Sequence, residues 1–286
     1  MNPAVNPAVN PAVNPAVDLL ARLDLVLTSI APIAVAVSGG VDSLTLATAA
    51  HRRLGGRATM IHAISPAVPS LATLRVKDLA ASEGWRLVIL DAGEFDDPRY
   101  VANPVNRCFY CKTNLYGRLV EHCGVTATVV SGTNTDDLSD YRPGLEAATN
   151  FAVRHPFVEV GADKDAVRAM ARAFGLGSVA ELPASPCLSS RVETGISIRP
   201  RTLALVEAAE TLVATEFGFA TVRCRVRKDR IVIELDENDL SGLTSETNES
   251  IVRAVTNLVS AHNIEQAVSV EAYRRGSAFL HSDAES

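Results

Sequence analysis

Positive charge, cysteine and long apolar runs are all in short supply in this chain, and each shortage removes a class of function. Lysine and arginine number 27 against 33 aspartates and glutamates, a formal charge of −6. That balance runs against the basic surface of a general nucleic-acid binder, so no nucleic-acid partner is expected. No apolar run approaches the length that spans a bilayer, so no membrane partner is expected either. The opening Met1-Asn2-Pro3-Ala4-Val5 lacks the basic and apolar segments of a secretory signal, which makes a cytoplasmic location the expectation. The five cysteines, Cys108, Cys111, Cys123, Cys187 and Cys224, are too few and too irregularly spaced for a secreted disulfide framework. They read as thiols, metal ligands or nucleophiles, with Cys123 and Cys224 in apolar surroundings as core thiols.

What is present is enough chain for two domains, 286 residues of which 47% are hydrophobic. Residues 1–17 carry four Asn-Pro-Ala-Val repeats, whose prolines block helix and ladder hydrogen bonds; a disordered, extended arm is expected there. From Asp18 a helix is expected to about Ser29, then a strand at Ile33–Val37. Strand-like runs at Ala58–Ile64, Arg86–Leu90 and Ala127–Ser131 alternate with helical patterns at Leu71–Glu83, Lys112–Cys123 and Lys164–Phe174. Such alternation predicts an α/β fold with a parallel sheet and helices on both faces, over residues 18–195. Beyond residue 195 the order becomes helix, strand, strand, helix, strand. That predicts a smaller α+β C-terminal domain over 196–286.

Chemistry concentrates first in Ser38-Gly39-Gly40-Val41-Asp42-Ser43, between a predicted strand and a predicted helix. A glycine turn there lets backbone approach a phosphate closely, and the first N–H groups of the helix point at the anion. Ser38 and Ser43 add hydroxyls, while Asp42 is suited to work through a cation or a hydrogen bond. The Gly-Lys-Ser/Thr ending of a Walker loop is missing, and an ordinary capped turn is the plain alternative. Beyond another strand, the polar loop Gly132–Gly144 offers Asp136 and Asp137 to Mg²⁺ and Arg142 to a carboxylate or phosphate, unless it is simply solvated. Ligands of parallel sheets bind at the carboxyl ends of the strands, where both loops and Ser65-Pro66 fall.

Cys187 sits in Pro186-Cys187-Leu188-Ser189-Ser190-Arg191, where a nearby guanidinium favours thiolate; a loop cysteine of no consequence is the alternative. Cys108 and Cys111 form a Cys-x-x-Cys ahead of the helix predicted from Lys112. The pair suits metal ligation, a redox dithiol or loop packing. With Cys187 it supplies the three thiolates that hold a four-iron cluster with one iron open. In the C-terminal part, strand alternation puts Arg223, Arg225 and Arg227 on one face. Three guanidinium groups suit a phosphate-bearing ligand, and a solvated outer face explains them equally well.

Taken together these words resemble the LarE family of ATP-dependent sulfur transferases, within the N-type ATP pyrophosphatases. The carriers are the phosphate loop, His62-Ala63-Ile64-Ser65-Pro66-Ala67-Val68-Pro69, Asn103-Pro104 with Arg107-Cys108-Phe109-Tyr110-Cys111-Lys112, Asp136-Asp137 with Asp140-Tyr141-Arg142-Pro143-Gly144, the Pro186–Arg191 word, and Tyr273–Ser277. They occur in order across roughly residues 18–280. The resemblance implies a Rossmann-like ATP pyrophosphatase fold, with ATP held at Ser38, Gly39, Gly40, Asp42 and Ser43, and Mg²⁺. It implies adenylation of a carboxylate of pyridinium-3,5-biscarboxylic acid mononucleotide, with release of pyrophosphate. Attack by Cys187 then displaces AMP, and rupture of the Cβ–S bond of Cys187 leaves a thiocarboxylate and dehydroalanine. Some relatives use a [4Fe-4S] cluster, to which Cys108, Cys111 and Cys187 correspond here. Substrate contacts are expected from Arg142, Arg191, Arg223 and Arg225. The implied partners are a small nucleotide substrate, the nickel insertase of the same pathway, and further copies of the chain in a homo-oligomer. The pattern departs from the family at Asn150, Val179–Leu182 and Arg199-Pro200.

Overall fold

The computed structural model describes residues 15–138, 143–274 and 276–279. The repeat arm up to Asn14, Arg142 with its neighbours 139–141, and Arg275 lie outside the described residues.

Four short apolar strands, β1 (Ile33–Ala36), β2 (Ala58–Ile64), β3 (Leu87–Asp91) and β4 (Thr128–Ser131), form an all-parallel sheet in the order β3-β2-β1-β4. The helices through this part are α1 (Pro15–Ile30), α2 (Val41–Leu54), α3 (Ser70–Glu83), α4 (Pro98–Val101), α5 (Arg107–Cys123), α6 (Pro143–Asn150), α7 (Pro156–Val160), α8 (Lys164–Ala173) and α9 (Gly177–Ala180). Strand periodicity sorts the core. Ile33, Val35, Met60 and Val130 pack with α1, α2 and α8 on one face. Ala34, Ile61 and Val129 pack with Tyr116, Leu119, Ala147 and Ala148 on the other. Burial on both faces is why β1, β2 and β4 read as continuous apolar runs rather than as alternations; β3, at the edge, is half-exposed.

Several boundaries move. α1 starts at Pro15, three residues before Asp18, because proline suits the first turn of a helix, where its missing N–H is not needed. α5 starts at Arg107 rather than Lys112, so Cys108 and Cys111 stand within the first two turns of a 17-residue helix and not in a loop.

The C-terminal part holds α10 (Pro200–Phe217), β5 (Val222–Val226), β6 (Arg230–Leu235), α11 (Glu237–Ser241), α12 (Ser245–Ala261) and β7 (Ala267–Ala272). β6 is central, antiparallel to β5 and parallel to β7. Its core takes Val222, Cys224 and Val226 from β5, Ile231, Ile233 and Leu235 from β6, and one face each of α10 and α12. Residues from the Cys187 segment, Leu188 and Val192, belong to this same core, as do Ala67 and Tyr100. The segment 188–198 therefore runs between the two sheets and bonds to both sides. The N–H of Leu188 donates to Ala67 O at 2.9 Å, that of Glu193 to Val226 O at 2.9 Å, and that of Gly195 to Asn103 O at 2.9 Å.

Candidate active site

The chain leaves β1 and turns into α2 through the phosphate-loop residues. Gly39 adopts φ +85°, and a Cβ there would stand 2.7 Å from Ala72 O, so the first turn of α3 lies directly against the loop. Only glycine fits both demands. Ser43 closes the turn: its Oγ accepts from Ser38 N at 3.1 Å and donates to Gly40 O at 3.1 Å. The first intrahelical bond is Leu44 N to Gly40 O at 3.0 Å, and no side chain caps the helix start. The N–H groups of Val41, Asp42 and Ser43 thus precede the ladder of a 14-residue helix, the arrangement that favours an anion.

His62, fully buried, braces this turn from below, with Nδ1 2.7 Å from Val37 O and Nε2 2.9 Å from Thr73 Oγ1. Burial lowers its pKa, outweighing the bond to Val37. Arg75 reaches back from α3 to donate from Nε to Gly39 O at 3.2 Å.

The loop after β4 packs onto the same helix start. A Cβ on Gly132 would meet the backbone of Asp42 and Ser43 at 2.8 Å. Asn134, buried, is the hub: its Nδ2 donates to Asp42 Oδ1 at 3.1 Å, its Oδ1 accepts from Asp136 N at 3.0 Å, and its own N–H donates to Asp137 Oδ2 at 3.2 Å. Lys164 completes the group. Its Nζ is 2.5 Å from Asp42 Oδ2, and its N–H donates to Asp136 Oδ2 at 3.1 Å. The structure thereby brings Asp42, Asp136 and Asp137 together at the phosphate loop, with Lys164 as a cation that sequence reading missed. Nothing in its local pattern marks it, since Lys164 simply follows the N-cap Asp163.

Cys187 stands at the same sheet edge, because Leu188 is bonded to Ala67 just beyond β2. Four carbonyls around it are held by arginines. Arg191 Nη1 donates to Pro186 O at 2.8 Å and Cys187 O at 3.2 Å, Arg107 Nη1 to Ser189 O at 3.0 Å, and Arg225 Nη1 to Ser190 O at 3.1 Å. Tyr100, buried, holds the side chain of Ser189 at 2.6 Å. Cys108 and Cys111, at i and i+3 on α5, lie within electrostatic reach of Cys187. Burial first, then the Cys187 charge, raises both; Cys111 is pushed up to about 12. Both are therefore neutral thiols near pH 7. Among the described residues no three His, Cys, Asp or Glu side chains are grouped as a metal ion would require.

The arginine stripe of β5 is not a solvated face, because the Cys187 segment lies on it. Arg225 is buried, its Nε 2.7 Å from Glu234 Oε2, itself buried. Arg191 is buried too and grips Glu210 through Nε at 2.9 Å and Nη2 at 3.1 Å. Arg227 donates toward Glu193 at 3.3 Å and Glu234 at 3.5 Å. Arg223 differs. It is half-buried, bonds only the carbonyls of Val222 (2.8 Å) and Ala184 (3.3 Å), and makes no ion pair with a carboxylate among the described residues. Of the four arginines expected at the substrate, Arg191 and Arg225 are tied to carboxylates and loop carbonyls. Arg223 keeps its charge open, and Arg142 lies outside the described residues.

The chain is 31% identical over 220 residues to the pyridinium-3,5-bisthiocarboxylic acid mononucleotide synthase of Lactiplantibacillus plantarum, covering 76% of this chain and 79% of that protein. The chain belongs to the LarE family. Two uncharacterized proteins are also similar to this LarE-family chain. One, from Synechocystis sp., is 37% identical over 206 residues, 70% of this chain and 75% of its own length. The other, from Methanocaldococcus jannaschii, is 28% identical over 221 residues, 77% and 83% of the two chains. No protein-family model matches the chain. Among the described residues, no helix is long and apolar enough to cross a membrane.

Proposed function

We propose that this chain is an ATP-dependent sulfur transferase that converts the carboxylates of pyridinium-3,5-biscarboxylic acid mononucleotide to thiocarboxylates, the product class named for its Lactiplantibacillus relative. The observation that carries the reading is the bond from Leu188 N–H to Ala67 O, which sets Cys187 at the strand ends that also bear the Ser38–Ser43 turn. A carboxylate is a poor electrophile until a leaving group is attached. ATP supplies one: the substrate carboxylate attacks the α-phosphorus, pyrophosphate departs, and an acyl adenylate forms. The uncapped start of α2 receives the phosphates, and Lys164 offsets the Asp42 charge that would otherwise repel them. Arg223, the arginine of the stripe with an open charge, takes the substrate phosphate.

Cys187 then acts as nucleophile. Its sulfur bonds to the acyl carbon, its proton is lost, and AMP leaves. Removal of the Cα proton with cleavage of the Cβ–S bond frees the thiocarboxylate and leaves dehydroalanine at position 187. No oxidant or reductant is consumed. Intact-mass spectrometry of anaerobically purified protein, after reaction with ATP and the dicarboxylate, tests this. The expected result is a loss of about 34 Da located at Cys187, with one sulfur delivered per chain. Thiocarboxylate formed by protein of unchanged mass refutes it.

A further inference from the structure

Five buried side-chain atoms among the described residues have no hydrogen-bond partner: His51 Nδ1, Trp85 Nε1, Glu94 Oε2, Arg107 Nη2 and Thr113 Oγ1. Arg107 and Thr113 lie on α5 beside Cys108 and Cys111, and Glu94 acts electrostatically on Cys111. Buried polar groups are nearly always satisfied, so orphans on and beside the start of α5 ask for an explanation.

Arg107 asks most, because a guanidinium does not give up its proton. It is 2% exposed and makes no ion pair with a carboxylate among the described residues. Its contacts are neutral: the Asn103 side chain, Ser189 O, the Phe279 ring at 5.3 Å and the Cys108 thiol. Lys112, one turn on, also has no carboxylate partner among the described residues and lies near all three thiols. The carboxyl of Glu94, buried nearby, makes no ion pair with either cation among the described residues, and burial raises its pKa. Among the described residues, neither of these two cations beside Cys187 makes an ion pair with a carboxylate. A buried charge of this kind is tolerated where a ligand completes it.

Resting on the substrate reading above, we propose that Arg107 is a substrate-binding residue that pairs with the ring carboxylate not undergoing reaction, while the other is presented to Cys187. A substrate modified at two positions always carries one anionic group at the idle position. It is a carboxylate in the first round and a thiocarboxylate in the second, and a planar guanidinium accepts either. The bond from Arg107 to Ser189 O fixes this anchor relative to Cys187, two residues away. Phe279 lies over the guanidinium and is the side chain that the ligand displaces. It is 36% exposed and held through its neighbours, Thr194 N to Ala278 O at 2.9 Å and Ser277 Oγ to Glu234 Oε1 at 2.6 Å.

The test is calorimetric titration of the full chain, without ATP, with pyridinium-3,5-biscarboxylic acid mononucleotide and with nicotinic acid mononucleotide, which has one ring carboxylate. The wild-type chain is expected to prefer the dicarboxylate by about tenfold or more. Arg107→Gln abolishes that preference and Arg107→Lys keeps part of it. Phe279→Ala tightens the dicarboxylate several-fold and leaves the monocarboxylate unchanged. A folded Arg107→Gln protein that keeps the wild-type preference overturns the proposal. If that variant does not fold, a Phe279→Ala protein with both affinities unchanged does so. Equal wild-type affinity for the two ligands overturns the anchor alone, whereas binding of neither overturns the substrate reading and the anchor with it.

Discussion

Arg223 and Arg225 are two residues apart on β5, yet their removal is expected to do opposite things. Arg225→Ala leaves Glu234 buried, with its side chain 3% exposed, and deprives it of its 2.7 Å partner. Breaking a buried pair from one side costs about 3–5 kcal/mol, because the remaining charge stays desolvated. Glu234 keeps Ser277 Oγ at 2.6 Å and Arg227 at 3.5 Å, which places the loss toward the lower end. Ser190 O loses its donor as well, an orphaned carbonyl worth about 1–3 kcal/mol. A total near 4 kcal/mol is a large share of the roughly 5–15 kcal/mol by which proteins are stable. Arg223→Ala, in contrast, removes only bonds to two carbonyls, so stability falls by about 1 kcal/mol or less. Its effect is expected in substrate KM, raised about ten- to hundredfold for one lost charge-assisted contact, with ATP affinity unchanged. Urea unfolding and steady-state kinetics on both variants separate the roles. Replacing both partners, Arg225→Met with Glu234→Leu, should recover much of the lost stability, since no lone charge is then buried. An Arg225→Ala protein of wild-type stability, or an Arg223→Ala protein of wild-type KM, refutes the division of labour.

Two further expectations follow from the phosphate-loop neighbourhood. Lys164→Ala leaves Asp42 uncompensated where the triphosphate arrives and should raise the KM for ATP in a pyrophosphate-release assay about tenfold; adding Asp42→Asn should restore part of it, and no change in KM refutes the pairing. His62 is fully buried with its pKa lowered by burial, so the unfolded chain binds a proton that the folded chain refuses. Stability is therefore full above the unfolded value of about 6.5 and lost as pH falls below it, and unfolding midpoints between pH 7.5 and 5 should show less dependence in His62→Gln.

The parallel sheet was legible because its strands are short apolar words bounded by turns, and burial on both faces keeps the words of β1, β2 and β4 unbroken. Ala58–Ile64 was read to the residue, and the other three strands end within one or two residues of their expected limits. The order of elements after residue 195 was legible for the same reason. Short helices such as Pro156–Val160 and Glu237–Ser241 were not, since five residues carry too little periodicity to register. The start of α5 was misread because Asn103-Pro104 suggests a loop, while the chain re-enters a helix only three residues later, with Arg107 N bonded to Pro104 O.

The site was legible as words but not as contacts. Lys164 meets Asp42 across 122 positions, and no local pattern announces such a pair. The arginines mislead for a subtler reason. Alternation on β5 correctly put Arg223 and Arg225 on one face, but whether that face meets water depends on a segment some 35 residues upstream that folds over it. The antiparallel register, with Arg223 opposite Glu234, is the feature from which internal pairing could have been inferred. Arginines beside a cysteine invite assignment to substrate, yet Arg191 and Arg225 spend their donors on carboxylates and on the carbonyls of Pro186, Cys187 and Ser190. On the proposed route that expenditure is chemical as well as structural. Eliminating sulfur requires the Cα–H and Cβ–S bonds of Cys187 to be held in alignment, and a backbone fixed at successive carbonyls supplies that orientation before the substrate arrives.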